Sequence, residues 1–360
     1  MTIMNFAEKG TVLSDSFSLE DTKAVQGLFA FCITVHHFAL WADGRTDYNG
    51  VLDCFLNIGI LLVGFFFFCS GYGLITSLRQ NTDYLRTFLI RRMLTVLVPF
   101  FICNYIYMIL VLIKGFHFSS GELIAAFFGF LLLNDQMWFA VEILILYLLF
   151  FIFFRFIKNE KLSFMLMGSS VLVLILVSLL LGHSGYTEHI AGKWFHGEWW
   201  YNTTLLFFAG MLFGRFSKQI KQWLNSHYLL LLFLSILLFL PLWIENSHIL
   251  ATAGYWTETP DSMAYADKFT ALAVQIPLVF CFVFLLFLLM QKLHISSRLL
   301  SFLGGISLEM ILINKAFLVG LEGLSPEIGY ILYYLLVTLC TITGAFIVNK
   351  VKLWILNRHS

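Results

Sequence analysis

The sequence predicts an all-α integral membrane protein, a bundle of about ten transmembrane helices. Sixty per cent of its 360 residues are hydrophobic and only 12% are charged, and the mean hydropathy is +0.87. Apolar runs of about 20 residues, the length that a helix needs to cross a bilayer, recur along the whole chain. These observations exclude a water-soluble domain and indicate a multi-pass membrane protein.

The first span begins after a polar segment, residues 1–20. That segment lacks the charged, apolar and small-residue pattern of a cleaved signal peptide, so we expect the first span to be retained. An apolar stretch at 122–133 is too short to cross and predicts a re-entrant or half-helix before the fourth span. We expect a membrane domain at 21–350 and a cytoplasmic tail at 351–360. The predicted spans are 21–41, 52–78, 88–113, 136–156, 162–181, 199–213, 228–243, 269–290, 299–318 and 328–348.

The basic residues support this count and orient the bundle. With the N-terminus in the cytoplasm, five of the 22 Lys and Arg residues fall on outer segments and the other 17 on cytoplasmic ones. Such an excess of Lys and Arg is typical of the cytoplasmic side of membrane proteins. We therefore predict that both termini are cytoplasmic, and we expect the protein in a bacterial inner or cytoplasmic membrane.

Charge and cysteine content argue against two other classes of protein. The formal net charge is only +1 and no basic run is present, so we expect no nucleic-acid partner. All six cysteines lie within apolar spans and none has the spacing of a metal or redox motif. We therefore predict buried thiols and no metal site.

The first span carries polar residues at membrane depth, where they are costly and usually face a cavity or a partner. Lys23 and Gln26 lie about one helical turn apart near its start, and His36 and His37 lie deep inside it. His37 follows Gln26 by about three turns, roughly 16 Å, which places both side chains on one face. We expect a polar track from Lys23 to His37, with His37 rather than His36 facing the site. A histidine that only bonds to a neighbouring helix is the alternative.

A basic segment between the second and third spans opens on the same cytoplasmic side as Lys23. It contains Arg79, Arg86, Arg91 and Arg92. Guanidinium groups suit phosphate oxygens, so the segment is a candidate phosphate-binding site. The alternative is ordinary flanking charge.

Five short motifs follow one another along the chain. They are Gln26-Gly27-Leu28 with His37, the aromatic run 65–74, Phe88-Leu89-Ile90-Arg91-Arg92 with Pro99, Met137-Trp138-Phe139, and the segment 303–309. In this order, over residues 20 to about 350, they resemble the acyltransferase-three family. The resemblance implies a ten-helix membrane protein that uses cytosolic acyl-CoA to acylate glycans of the cell envelope or related extracytoplasmic acceptors.

Four positions depart from the pattern of that family. Gln26 stands where Arg or Lys is usual, and Lys23, one turn earlier, is a candidate to supply the charge. Thr95 stands where an Arg-x-x-Arg pattern would place its second arginine. Ile311 and Asn314 replace a tyrosine and a histidine that follow the Ser-Leu-Glu motif.

The resemblance and the chemistry of the first span together predict an acyl-CoA-dependent O-acyltransferase of the acetyl or succinyl type. Apolar surroundings favour a neutral His37, which can take the proton of an acceptor hydroxyl or accept the acyl group. Glu309 is the second catalytic candidate, because a carboxylate could orient the histidine; pairing with a cation or a serine is its alternative. We predict that acyl-CoA is bound by Lys23, Gln26, Arg86, Arg91 and Arg92. The candidate lining of the site is His36, Ser70, Tyr72, Trp138, Glu142 and Asn314, of which Ser70, Tyr72 and Trp138 also fit a packing role.

The expected partners are the lipid bilayer, acyl-CoA with acetyl as the favoured group, and a glycan or lipid-linked glycan acceptor. We expect no bound cofactor. A homo-oligomer is left open. The outer segments carry aromatic rings that suit sugars, although aromatic belts at the membrane boundary look the same. Their aromatic, histidine and carboxylate residues are His183, Glu188, His189, Trp194, His196, Glu198, Trp199, Trp200, Tyr255 and Trp256. The alternative function is a transporter or flippase with His37 as a proton relay. A non-catalytic scaffold is a third reading.

Overall fold

The computed structural model describes residues 4–6, 18–45, 48, 50–81, 83–181, 192–253, 257–259, 262–295 and 297–358, and these are almost entirely helical. The helices are α1 (Leu19–Ala42), α2 (Gly59–Gln80), α3 (Leu94–Ile113), α4 (Ser120–Phe127), α5 (Trp138–Phe156), α6 (Glu160–Leu181), α7 (Trp199–Asn202), α8 (Leu205–Arg215), α9 (Ser217–Ser226), α10 (Tyr228–Thr252), α11 (Tyr265–Met290), α12 (Arg298–Gly305), α13 (Ser307–Gly320), α14 (Ser325–Ile328) and α15 (Tyr330–Asn357). Four short strands form two antiparallel pairs: β1 (Met4–Phe6) with β4 (Leu293–Ile295), and β2 (Leu131–Leu132) with β3 (Gly192–Lys193).

The predicted all-α membrane bundle is confirmed. In the described parts of the chain, eight helical segments are long and apolar enough to cross a membrane, and they contain α1, α2, α3, α5, α6, α10, α11 and α15. α12 and α13 meet at a bend of 74° and make a ninth span when they are counted together.

The sixth predicted span, 199–213, differs from the expectation because it is divided into α7 and α8. α8 has 11 residues, about 16 Å at the rise of an α-helix, so it falls short of a full crossing. At the break, the Thr204 hydroxyl donates to the Trp200 carbonyl at 3.0 Å and also to the Glu142 carboxylate. A threonine that bonds to backbone and neighbouring groups in this way competes with regular helix geometry. The count of about ten spans becomes eight or nine of full length within the described residues.

The predicted half-helix before the fourth span is present as α4. Ser119 and Glu122 form a capping box at its start, and the chain turns back at Gly129, whose φ of +77° suits glycine. Asn104 of α3 donates to the Ala126 carbonyl at 2.8 Å, which satisfies a backbone acceptor at the end of α4. The segment therefore enters and leaves at one end of the bundle.

The first turn of α1 and the last turns of α15 lie at the same end of the bundle. The Ile295 amide of β4 donates to the Asp21 carboxylate at 3.0 Å, and α12, which follows β4, packs along α1. Asn349 of α15 donates to the Gly305 carbonyl of α12 at 3.3 Å. This arrangement agrees with the prediction that both termini lie on one side.

Glycines set the closest helix contacts. A Cβ on Gly71 of α2 would lie 1.9 Å from the Phe207 carbonyl oxygen of α8, and one on Gly304 of α12 would lie 1.9 Å from the Lys23 carbonyl oxygen of α1. Only a residue without a side chain allows backbones to approach this closely. Gly71 of the aromatic run and Gly304 of the segment 303–309 thus have a packing role.

Candidate active site

A polar cavity of about 640 Å³ lies where the second half of α1 meets the start of α2, the start of α5, α7, α11 and α13. This volume is in the range of small-molecule binding sites. We call it the histidine cavity. Its polar and aromatic lining residues are His36, His37, Trp41, Asp43, Asn57, Asp135, Gln136, Trp138, Glu198, Trp199, Asn202, Thr203, Gln275 and Lys315.

His37 lines the histidine cavity from α1, as the sequence predicts. Asn314 lies beside its ring, and Lys315 is close enough to act on it electrostatically. The buried Nδ1 atom of His37 and the Oδ1 atom of Asn314 each have no hydrogen-bond partner among the described residues, while Asn314 Nδ2 donates to Thr341 Oγ1 at 3.2 Å. A hydrogen bond from Nδ1–H to Asn314 Oδ1 would leave the lone pair on Nε2, which is the form that a general base needs.

His36, one of the candidate lining residues, lines the same cavity, although the sequence favoured His37 as the histidine that faces the site. Its Nδ1 atom lies 2.8 Å from the Phe55 carbonyl oxygen, and the two histidine rings are 5.6 Å apart between centroids. A Cβ on Gly59 would lie 2.5 Å from His36 Nε2. His36 is therefore held by the segment that opens α2, and its ring is less free to act than that of His37.

Two charged residues that the sequence analysis did not assign to the site also line the cavity. Lys315 of α13 and Asp135, just before α5, form an ion pair with Nζ and Oδ1 2.5 Å apart. Lys315 follows Asn314 within an apolar run, and a lysine in such a place is itself a sign of function. The sequence alone could have indicated Lys315, but it could not show that Asp135 is its partner.

A chain of amides closes the cavity on the side of α7 and α11. Gln275 Nε2 donates to Glu198 Oε1, and Asn202 Nδ2 donates to Gln275 Oε1 at 3.4 Å. Burial raises the pKa of Glu198 from 4.5 to about 7, against the opposing effect of its hydrogen bonds with Gln275 and Asn202. Glu198 can therefore exchange a proton near neutral pH. The sequence analysis grouped it only with the outer aromatic residues.

A second, smaller pocket of about 270 Å³ holds two of the predicted acyl-CoA residues. It is lined by Asn81, Tyr84, Thr87, Phe88, Arg91 and Arg92, and we call it the arginine pocket. Arg92 Nε donates to the Tyr84 hydroxyl at 3.0 Å. Arg86 lies nearby in sequence but forms a surface ion pair with Asp83 at 3.1 Å, and it does not line the pocket.

The predicted polar track along α1 is wrong. Lys23 is exposed and Gln26 is half-buried, and neither lines the histidine cavity or the arginine pocket. The physical reason is that α12 packs against this part of α1: a Cβ on Gly27 would lie 1.9 Å from the Leu300 carbonyl oxygen. Within the described residues, neither cavity follows α1 from Lys23 to His37.

Aromatic side chains lie between the two cavities. Phe88 lines the arginine pocket and Trp138 lines the histidine cavity. The Phe88 and Tyr147 ring centroids are 5.9 Å apart, and those of Phe67 and Trp138 are 6.1 Å apart. The Ser70 and Tyr147 hydroxyl oxygens are 3.3 Å apart. We call Phe67, Phe88, Trp138 and Tyr147 the aromatic partition.

Three further predicted residues lie outside the histidine cavity. Tyr72 packs on Phe68 and Phe213, so it has the packing role. Glu142 accepts a hydrogen bond from Thr204, and Glu309 pairs with Lys352 at 2.5 Å. Glu309 therefore has the pairing with a cation that was its alternative, and Glu142, a candidate lining residue, is bonded to Thr204 just before α8.

Of the outer aromatic residues, Trp199 lines the cavity, whereas Trp194 donates to the Gly129 carbonyl at 2.8 Å and Trp200 packs in the core. His196 is half-buried. The remaining predicted candidates lie outside the described residues: His183, Glu188, His189, Tyr255 and Trp256.

These features define a multi-pass helical membrane protein with a polar cavity around a histidine at membrane depth. The chain matches the acyltransferase-3 family, described as an acyltransferase domain, over residues 22–350. The match covers more than nine-tenths of the chain, so the protein belongs to this family and is a membrane acyltransferase. Searches of the curated proteins and of the solved structures return no match.

Proposed function

We propose that this acyltransferase moves a short acyl group, with acetyl favoured, from cytosolic acyl-CoA to a hydroxyl of an extracytoplasmic glycan. The observation that carries the proposal is the separation of two complementary sites. The arginine pocket offers cations at one position, and the histidine cavity offers a base at another. This arrangement suits a reaction in which an anionic donor and a neutral acceptor approach from opposite sides.

On the donor side, Arg91 and Arg92 bind the phosphates of CoA. Guanidinium groups make paired, charge-assisted hydrogen bonds to phosphate oxygens, and they stay charged at any physiological pH. Tyr84 positions Arg92 through the bond to Nε. Arg86, Lys23 and Gln26 do not line the pocket, so the two cations Arg86 and Lys23 contribute at most long-range attraction.

On the acceptor side, His37 accepts the proton of the acceptor hydroxyl. The hydroxyl oxygen forms a bond to the thioester carbonyl carbon, the carbon–sulfur bond breaks, and the CoA thiolate takes the proton from the imidazolium. A route through an acyl-imidazole on His37 has the same overall balance: acyl-CoA and the acceptor hydroxyl are consumed, and CoA thiol and the acylated acceptor are released. Lys315 is paired with Asp135, but its ammonium group has three N–H donors, and one of those left over can face the developing oxyanion.

The acyl thioester and the acceptor meet only when the aromatic partition lets the acyl arm through. The partition holds few polar contacts, chiefly the one between the Ser70 and Tyr147 hydroxyls. Rotation of an aromatic side chain is a small change compared with a helix movement. We therefore place the required opening at Tyr147 and Trp138.

The test is release of free CoA thiol by the full-length protein in lipid nanodiscs with acetyl-CoA and an envelope glycan fraction. His37→Ala should lower the thiol-release rate at least about 100-fold, the usual contribution of a general base. The control is His227→Ala, which removes an exposed histidine at the junction of α9 and α10 and should leave the rate unchanged.

Equal rates in His37→Ala and wild type, with both proteins monodisperse, would contradict the proposal. A wild-type protein that transports a glycan without releasing thiol would support the transporter alternative instead.

A further inference from the structure

Three buried oxygen atoms that line the histidine cavity lack a hydrogen-bond partner among the described residues. They are Gln136 Oε1, Asn202 Oδ1 and Thr203 Oγ1. Asn202 and Thr203 are each only 1% exposed. Burying such atoms without a partner is unfavourable, so these oxygens are well suited to a ligand that pairs with them.

The amide chain on this wall determines which atom Asn202 presents. Glu198 accepts from Gln275, so the Gln275 amide nitrogen points toward the carboxylate. The Gln275 oxygen consequently accepts from Asn202 Nδ2. Asn202 is left with its carbonyl oxygen as the unpaired atom. The order of donors and acceptors follows from the ionised form of Glu198, because an ionised carboxylate is only an acceptor.

The charge of the cavity favours the same kind of ligand. Asp43, Asp135 and Glu198 line it together with a single lysine, Lys315, which Asp135 already pairs. Two unpaired carbonyl oxygens and these carboxylates all accept hydrogen bonds. A phosphate or carboxylate group would meet three carboxyl groups and one cation that is already paired, whereas a group rich in O–H finds several acceptors.

We propose that Gln136, Asn202 and Thr203 form a subsite that binds the hydroxyl groups of a neutral, polyhydroxylated acceptor. The subsite deepens the proposed function and rests on it, since it supplies the position from which an acceptor hydroxyl faces His37. Asn202 and Thr203 are positioning residues, and Glu198 and Gln275 hold Asn202 in its orientation.

Binding is measured directly by saturation-transfer NMR on the full-length protein in nanodiscs. The probes are methyl α-D-glucopyranoside, its monodeoxy analogues, and the anionic methyl glucuronide. The neutral glycoside should bind more tightly than the deoxy analogues and the glucuronide. Asn202→Ala and Thr203→Val should each weaken its binding about tenfold, the effect of one lost hydrogen bond.

Thr203→Ser keeps the hydroxyl and should restore binding to within about twofold of wild type. The matched control is Asn246→Ala, which removes another buried amide without a partner in the described chain but lies outside the cavity. It should leave glycoside binding unchanged. If these residues had only a structural role, Asn246→Ala and Asn202→Ala would weaken glycoside binding to the same extent. Thr203→Ser would then bind the glycoside no more tightly than Thr203→Val.

The inference is overturned if wild type binds none of the neutral glycosides, or if Asn202→Ala and Thr203→Val bind them as well as wild type. Thiol release is recorded on the same samples. If thiol release depends on His37 but the variants bind the glycoside as well as wild type, the subsite is rejected and the acyl transfer stands. If the variants weaken glycoside binding but thiol release does not depend on His37, the proposed acyl transfer is rejected and a sugar-binding site remains.

Discussion

At the scale of single residues, the candidate site is defined by which polar atoms lack partners. The three subsite oxygens are buried without protein partners in the described chain, whereas Glu309 is paired with Lys352 and one oxygen of Glu142 accepts from Thr204. Buried polar groups in folded proteins are usually paired. Unpaired groups around one cavity therefore mark the place where a substrate binds, and paired carboxylates mark structure.

Glu198 carries a prediction about pH. Its pKa is 4.5 ordinarily and about 7 in the folded protein, so between these values the folded state holds a proton that the unfolded chain has lost. The contribution of Glu198 to stability should therefore be fully present below about pH 4.5, fall as the pH rises toward 7, and be lost above. Glu198→Gln removes this titration.

Thermal unfolding in detergent at pH 5 and pH 8 measures the effect. The difference in Tm between the two conditions should shrink in Glu198→Gln. It should stay at the wild-type size in Glu327→Gln, which removes an exposed carboxylate near the start of α15. A Glu198→Gln protein with the full wild-type pH dependence would show that this carboxyl is not the responsible group.

At the scale of helices, close packing of α1 on α12 excludes the track that the first span suggested. The 11-residue spacing from Gln26 to His37 does place both on one face of a helix, but α12 covers the region around Gly27. Helical periodicity identifies which residues share a face and carries no information about the neighbour on that face. The pair Gly27 and Gly304 is the cause of the close approach.

This packing predicts that Gly304→Ala destabilises the protein while Gly305→Ala does not. A Cβ at Gly304 would lie 1.9 Å from the Lys23 carbonyl oxygen, whereas a Cβ at Gly305 meets nothing within 4 Å. Overpacking of this kind typically costs about 1–3 kcal/mol. Thermal unfolding in detergent should show a lower Tm for Gly304→Ala alone. Equal Tm values for the two variants would mean that α1 and α12 can separate at no cost.

At the scale of the whole molecule, the pair Arg91 and Arg92 and the histidine His37 line separate cavities with the aromatic partition between them. Arg91 and Arg92 should therefore affect the donor and not the acceptor. Changing both to Ala should raise the KM for acetyl-CoA at least about tenfold, since each charge-assisted bond contributes about 1.5–3 kcal/mol. The KM for the glycan acceptor should stay at its wild-type value.

Arg358→Ala is the control for general loss of positive charge, because Arg358 stacks on Trp354 near the end of α15, away from the arginine pocket. It should leave both KM values unchanged. A parallel rise in the acceptor KM of the Arg91 and Arg92 double variant would indicate that the two cavities are not independent.

Much of this protein follows from local patterns in its sequence. Apolar runs predicted the helices, the short run at 122–133 predicted the half-helix, His37 was recognised as an ionisable group at membrane depth, and Arg91 and Arg92 were recognised as part of a cytoplasmic basic segment. Each of these signals depends on residues within a few turns of one another, and the free energy of burying apolar side chains in a bilayer makes them strong.

The tertiary structure alone decided which polar groups meet. Asp135 pairs with Lys315, 180 positions later, and Glu198 is held by Gln275, 77 positions later. Tertiary packing also pairs Glu309 with Lys352 and not with His37. The physical reason is that a helix offers the same face to any neighbour, and the choice among neighbours depends on shape and on pairing across the whole bundle.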